Sequence, residues 1–146
     1  MNIKKALKEK NKLVKEANEY YNLFSAYNSV EEGSNRPYDA KSMFQSWSET
    51  TEKLIDLKTR IHKANAPVYD KIFRLSELKS MVSKLKSVNC TEGKITNRGW
   101  RGESSDPVIM VSEMGIVERD EKVKGLEIEI EKIQDELDAH NATTEI

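Results

Sequence analysis

The residues best equipped for chemistry stand close together in the run NCTEGKITNRGWRGESSDP, residues 89–107. Arg98 and Arg101 flank Trp100 there. A guanidinium can fork a phosphate, and an indole can stack on a base. Gly93, Gly99 and Gly102, with Lys94, add backbone freedom and a further cation. The spacing matches neither the phosphate-binding loop nor the dinucleotide fingerprint, and no strand–loop–helix frame surrounds it. Glu92, Glu103 and Asp106 share the segment and cut down any basic field. Nucleic-acid contact through 98–101 is therefore the least favoured of three readings. The favoured one has Trp100 packed over helix ends, with the arginines reaching solvent or acidic helices. The third is a protein–protein contact, where Trp and Arg are enriched.

Other chemistry finds less support. The histidines are His62 and His140, and the one cysteine is Cys90. A zinc site needs three or four soft or nitrogen ligands at close spacing, which this set does not supply. Neither histidine ends the Glu-x-x-His pair of carboxylate di-metal bundles. No nucleophile elbow is present, and one Cys in a loop does not make a triad. The many carboxylates between Glu118 and Asp138 read as a solvated helix face. No catalytic residue, metal or cofactor is predicted.

The chain has 146 residues and a formal net charge of -1, so bulk charge gives no reason to expect nucleic acid or a membrane. Its large aliphatic and Phe content is close to the ~20% below which disorder becomes plausible, but disorder also asks for high net charge. A folded domain with a thin core follows. The charge is uneven, with a basic N-terminal stretch and an acidic C-terminal one. Proximity of the first and last helices explains that pattern. A single cysteine, no apolar leader and no apolar run of ~18 residues predict a cytoplasmic protein without membrane spans.

Four periodic stretches must position these side chains. The spacing predicts an all-α fold, an elongated bundle of long, antiparallel, coiled-coil-like helices. Helices are expected at about 2–28, 40–64, 68–87 and 116–140, with one long loop at 89–112, all in a single domain. The first carries Ile3, Leu7, Val14, Ala17, Tyr21 and Phe24 as its main stripe, with Ala6, Leu13, Tyr20 and Tyr27 flanking. Gly33 and Pro37 mark a linker, and Asp39 is placed to cap the second helix. Phe44, Trp47, Leu54 and Ile61 form that helix's main stripe, widened by Met43, Leu57 and Ala64. Asn65-Ala66-Pro67 predicts a turn with an Asn cap and Pro in the first helical turn, a kink being the alternative. Ile72, Leu75, Leu78, Val82 and Leu85 line the third helix. Val108–Val111 is a short strand or extended cover. The last helix has the cleanest heptad: Ile116, Val123, Ile130 and Leu137, with Leu126 and Ile133 at the other core position.

Several pieces together resemble a known family. They are Glu32-Gly33 with Pro37, the run Arg60-Ile61-His62-Lys63-Ala64-Asn65, then Ile72, Arg74 and Leu78, and finally Asn141 to Ile146. Their order resembles that of small uncharacterised bacterial helical proteins, some labelled septicolysin. The chain departs from that pattern at His62, where Asn is usual, at Ser76, where Asp is usual, and at Ala142, where Trp is usual. The resemblance implies a helical fold and no established activity. Arg60, His62, Asn65, Arg74 and Asn141 are candidates for a polar site or, with better support, for helix caps at one bundle end.

Function follows from what is left. The first reading is a non-enzymatic structural or protein-interaction protein that self-associates, a dimer being favoured. Its motive is helix length set against a modest apolar supply. The second is a small enzyme or ligand binder with a polar site at one end of the bundle. The third is the nucleic-acid contact at 98–101.

Overall fold

The computed structural model describes residues 1–96 and 106–146. The described chain is all-α: α1 Ile3–Tyr27, α2 Ala40–Ala64, α3 Tyr69–Lys86 and α4 Ile116–Thr143, with a single 3-10 turn at Ala66–Val68. A two-stranded ribbon, β1 Gly93–Ile95 and β2 Val108–Met110, is its only sheet among the described residues. The chain forms two compact units, residues 1–69 with 137–146, and residues 70–136.

The first unit is built on α1 and α2. Ile3, Ala6, Leu13 and Ala17 are buried along α1, and Lys10, Tyr20, Phe24 and Tyr27 are half-buried between and beyond them. That is a strict alternation of three and four residues, a two-position stripe along one side of the helix. The Lys10 stem can lie along the seam while its ammonium reaches water. On α2 the same repeat runs through Ala40, Met43, Trp47, Thr50, Leu54, Leu57, Ile61 and Ala64, all buried or half-buried. Ring contacts between Tyr21 and Trp47 (5.1 Å), Phe24 and Phe44 (5.6 Å) and Tyr27 and Tyr38 (5.7 Å) fix the helices as an antiparallel pair. Ala6, Leu13, Leu57 and Ile61 form the central cluster, with Leu7, Leu54 and Ile146 packed on it.

This corrects the expected stripe on α1. Val14 and Tyr21 are exposed, while Ala6 and Leu13 are buried. Both stripes are apolar, and the partner helix chooses the pair of positions that continues at a 3.5-residue period. Phe44 likewise lies outside the α2 seam, and Thr50, absent from the expected stripe, lies inside it.

Helix ends are capped as the local sequence allows. The Asn2 side chain accepts from the Lys5 amide at 2.9 Å, and Asp39 accepts from the Ser42 amide at 3.3 Å. In the linker, Gly33 has φ +84° and the Ser34 amide bonds to the Glu31 carbonyl, a turn that asks for glycine at its third position. Arg36 from the same linker donates to the carbonyls of Tyr27 and Asn28, which the end of α1 leaves free. At the second interruption, Asn65 (φ −85°, ψ −5°) and Tyr69 (φ −59°, ψ −38°) both stay right-handed, so the local backbone makes one tightened turn without a left-handed residue. Pro67 sits in its first positions as expected. Asn65 departs from expectation, because its side chain makes no capping bond.

The second unit pairs α3 with α4. Lys71–Glu136 (3.0 Å) and Arg74–Glu129 (2.6 Å) link the helices, and Arg119 near the start of α4 reaches the Lys86 and Val88 carbonyls after α3. Numbers rise on one helix as they fall on the other, so the pair is antiparallel. Leu78 and Val82 are buried on α3, Val123 and Ile133 on α4, with Ile72, Leu75, Leu85, Leu126 and Ile130 half-buried. The seam is the expected one except at Ile116, which is 55% exposed in the first turn of α4. The expected loop at 89–112 contains the ribbon instead of irregular chain alone, in the register Gly93↔Met110, Lys94↔Ile109, Ile95↔Val108. Ile95, Val108 and Ile109 favour extended backbone, and both strands are exposed at two of three positions, which leaves no alternating pattern to read.

Candidate functional site

Arg60, His62 and Asn65 sit at the end of α2 and Asn141 in the last turn of α4, while Arg74 lies on α3 in the second unit. Residues 144–146, after α4, run back along the start of α1. The Ile3 amide donates to the Thr144 carbonyl (3.0 Å), and the Ile146 amide donates to the Met1 carbonyl (2.9 Å). Asn2 Nδ2 donates to the Ala142 carbonyl at 3.0 Å, so one asparagine both caps α1 and fastens the strap.

His140 completes the arrangement. Its Nε2 lies 3.2 Å from the Ala64 carbonyl, and its Nδ1 lies 3.1 Å from Thr144 Oγ1. A carbonyl only accepts, so Nε2 carries a proton in this contact, and Nδ1 meets the Thr144 hydroxyl, which can both donate and accept. The Nε2 contact ties the last turn of α4 to the carbonyl end of α2, while the Nδ1 contact stays within the chain end after it. The sequence flagged His140 only as a cation in a last helical turn; its partner, 76 positions away, was not legible.

His62 is exposed, with its ring centroid 5.0 Å from that of Tyr69 and the two planes tilted by 45°. The Tyr69 hydroxyl donates to the His62 carbonyl at 2.6 Å and also contacts His62 Nδ1. A phenol has one proton. With the carbonyl taking it, the contact to Nδ1 needs the ring proton on that nitrogen. Asn65 is half-buried beside them, and its Oδ1 is shielded from solvent without a hydrogen-bond partner.

Arg60 and Asn141 line different cavities. Arg60, with Lys63, Ala64, Glu145 and Ile146, borders one of about 340 Å³, and it also lies 3.8 Å from Asp56 one helical turn back. Asn141, with Lys4, Leu7 and Asp138, borders another of about 440 Å³. Arg74, in the second unit, is engaged by Glu129, which accepts from both its Nε (2.7 Å) and a terminal nitrogen (2.6 Å). The structure thus places Asn65, His62 and Arg60 along one helix end, gives Asn141 a separate cavity and binds Arg74 to its own partner.

One further feature was missed by sequence reading. Arg119, whose side chain is mostly buried, donates to the carbonyls of Lys86 (3.4 Å) and Val88 (3.3 Å) and is held by Asp120. It occupies the heptad position that Leu126 and Ile133 fill further along, so the signal was an arginine in an apolar register. Asp39, by contrast, caps α2 as its position in the sequence predicts, and the Ser42 hydroxyl, aided by backbone amides, holds its carboxyl below the usual value of 3.8. Cys90 is free and half-buried. Among the described residues, no group of three or more His, Cys, Asp or Glu is placed to hold a metal, and no helix is long and apolar enough to cross a membrane. Arg98, Trp100 and Arg101 lie outside the described residues.

Compared with protein families, curated proteins and solved structures, the chain shows no match.

Proposed function

We propose that this is a structural or adaptor protein that works through protein–protein contacts, including contacts with its own copies. The observation that carries the reading is the placement of large apolar side chains. Phe44, Tyr21 and Tyr38 are each close to half exposed and gather near Trp47 and Tyr27 at the linker end of the α1–α2 pair. Contiguous exposed aromatic surface rimmed by polar residues is characteristic of protein contact sites. Two of the polar candidates, by contrast, are engaged in holding the fold: Arg74 in an ion pair with Glu129 and His62 against Tyr69. The septicolysin-like resemblance adds a helical fold to this reading and no activity.

The test uses the protein as bait in its native cell extract, beside a variant with Tyr21→Glu and Phe44→Glu. Partners retained by the wild type and lost by the variant support the reading, provided both have the same helical content. Equal retention of every partner would set it aside.

A second reading has one specific observation in its favour. The cavity lined by Lys4, Leu7, Asp138 and Asn141, at about 440 Å³, is of a size that holds small ligands. It mixes a cation, a carboxylate, an amide and an aliphatic wall. A small-molecule stabiliser whose thermal shift disappears in Lys4→Ala and Asn141→Ala would establish this use.

A further inference from the structure

On α1 the positions next to the seam are Leu7, Val14 and Tyr21, a third apolar stripe seven residues apart. Two-stranded coiled coils need only two apolar positions in seven, and a third belongs to helices with more than one neighbour. Next to that stripe run Asn11, Asn18 and Ser25, all exposed and uncharged. On α2 the equivalent positions are Phe44, Ser48, Thr51 and Ile55. The contacts Tyr21–Trp47 and Phe24–Phe44 show that both sets lie on the same side of the antiparallel pair. One broad face therefore runs from Asn11 to Ser25 on α1 and from Phe44 to Ile55 on α2 without a charged residue. In a chain that is 34% charged, this is the departure to be explained. Its apolar centre is uncovered: Val14 is 37%, Tyr21 45%, Phe44 48% and Ile55 51% exposed.

The edges of the face say what covers it. The outer edge on α1 carries Lys15 and Asn22, and the outer edge on α2 carries Gln45 and Glu52. The ring contacts set the register, which brings Lys15 level with Glu52 and Asn22 level with Gln45. We propose that this face is a homodimer interface, in which a two-fold axis parallel to the helices lays α1 of each copy over α2 of the other. The proposal rests on the self-association part of the reading above and names its surface. That arrangement preserves height along the helices. Lys15 of one copy then meets Glu52 of the other, twice, and the amides of Asn22 and Gln45 meet in the same way. The competing arrangement, α1 on α1 in opposite directions, brings Lys15 toward Asn22 and pairs no opposite charges. Lys15 spends little on its present partner, since it lies 3.9 Å from Glu19 in an exposed pair. An uncharged centre is self-complementary, as an isologous contact requires.

The size of the face sets the strength. Fifteen residues of helix give ~22 Å of length, and two helices give ~20 Å of width, so each copy contributes roughly 450 Å² in projection. The total of roughly 900 Å² over both copies lies below the ~1,200 Å² of standard specific interfaces, so the contact is a weak, reversible one that forms at high protein concentration.

Sedimentation equilibrium from about 1 to 200 µM tests this, on the wild type, Lys15→Glu, Glu52→Lys, the double reversal and Tyr21→Glu. The expected wild-type result is a monomer–dimer equilibrium. Each single reversal should weaken it about tenfold, since two attractive pairs become repulsive, and the double reversal should recover most of the loss. Tyr21→Glu should abolish it. Helical content by circular dichroism confirms that each variant is folded. A wild type that stays monomeric throughout overturns self-association and this face together. A dimer indifferent to Tyr21→Glu overturns the face and leaves self-association standing. A dimer lost with Tyr21→Glu but unmoved by the charge reversals overturns the proposed arrangement of the two copies.

Discussion

Leu13 and Val14 are neighbours in sequence, and the structure gives them opposite roles. Leu13 is 7% exposed in the central cluster with Ala6, Leu57 and Ile61, while Val14 is 37% exposed on the open flank. Leu13→Ala removes three carbons from a packed site. The loss of transfer free energy and the cavity left behind together cost about 2–5 kcal/mol. For a chain of this size, about 3 °C per kcal/mol puts the fall in melting temperature at roughly 6–15 °C. Val14→Ala removes two partly wetted methyl groups, a loss of about 0.5 kcal/mol at this exposure. Replacing a β-branched residue by alanine in a helix returns a similar amount. The expected shift is within about 2 °C of zero. Thermal unfolding followed by circular dichroism near 1 µM, where the proposed dimer is dissociated, measures both. If Val14→Ala destabilises as much as Leu13→Ala, then the buried stripe of α1 is the one through Val14 and Tyr21. The seam described above, and the open face derived from it, would both be wrong.

Three further outcomes follow from the caps. Arg119→Met keeps the aliphatic stem but removes the charged donors to Lys86 and Val88. It should cost about 1.5–3 kcal/mol in chemical denaturation, and hydrogen exchange should show faster opening at the end of α3. Asn2→Ala loses both the α1 cap and the bond to the Ala142 carbonyl, which should cost about 1–2 kcal/mol and weaken protection of the Lys5 amide first. Asp39 has its carboxyl pKa lowered chiefly by the Ser42 hydroxyl, so its stabilising contribution is present above the ordinary Asp value of 3.8 and is lost as pH falls through the lower folded value. The melting-temperature gap between wild type and Asp39→Asn should therefore be full near pH ~6 and close as pH drops toward ~2–3; a gap that widens in acid would reverse the assignment.

Elements were legible where one apolar stripe stood alone. On α3, Leu75, Leu78, Val82 and Leu85 had no rival, and the seam is where the spacing put it. The same holds for Val123 to Leu137 on α4. The boundaries of α2 were readable because Asp39 and Asn65-Ala66-Pro67 punctuate it. Illegible features depended on a partner. Arg119 is an arginine in an apolar register, and only the free carbonyls at Lys86 and Val88 explain it. His140 needed the Ala64 carbonyl, and the polar candidates Arg60 and Asn141 looked like one cluster because nothing in sequence separates two cavities at neighbouring helix ends. The β1 strand has a single half-buried residue, too little for a period to show.

The error on α1 has a different origin, and it bears on function. Three stripes compete there: one through Ile3, Ala17 and Phe24, one through Ala6, Leu13, Tyr20 and Tyr27, and one through Leu7, Val14 and Tyr21. A sequence reading ranks stripes by apolar content, and by that measure the third is strong. Folding selects by fit to α2, whose own seam alternates three and four, and the first two stripes satisfy it. What remains is an apolar stripe that the pair α1–α2 does not consume from Val14 onward. Exposed residues under no constraint drift toward the charged composition of the rest of this chain, as the rest of the exposed surface of α1 does with Lys8, Lys12, Glu16 and Glu19. A stripe that misleads a single-chain reading and stays uncovered in the folded chain is what an association surface looks like from sequence. The residues that made α1 hard to read, Val14 and Tyr21, are the ones whose substitution by glutamate should separate binding from folding most cleanly.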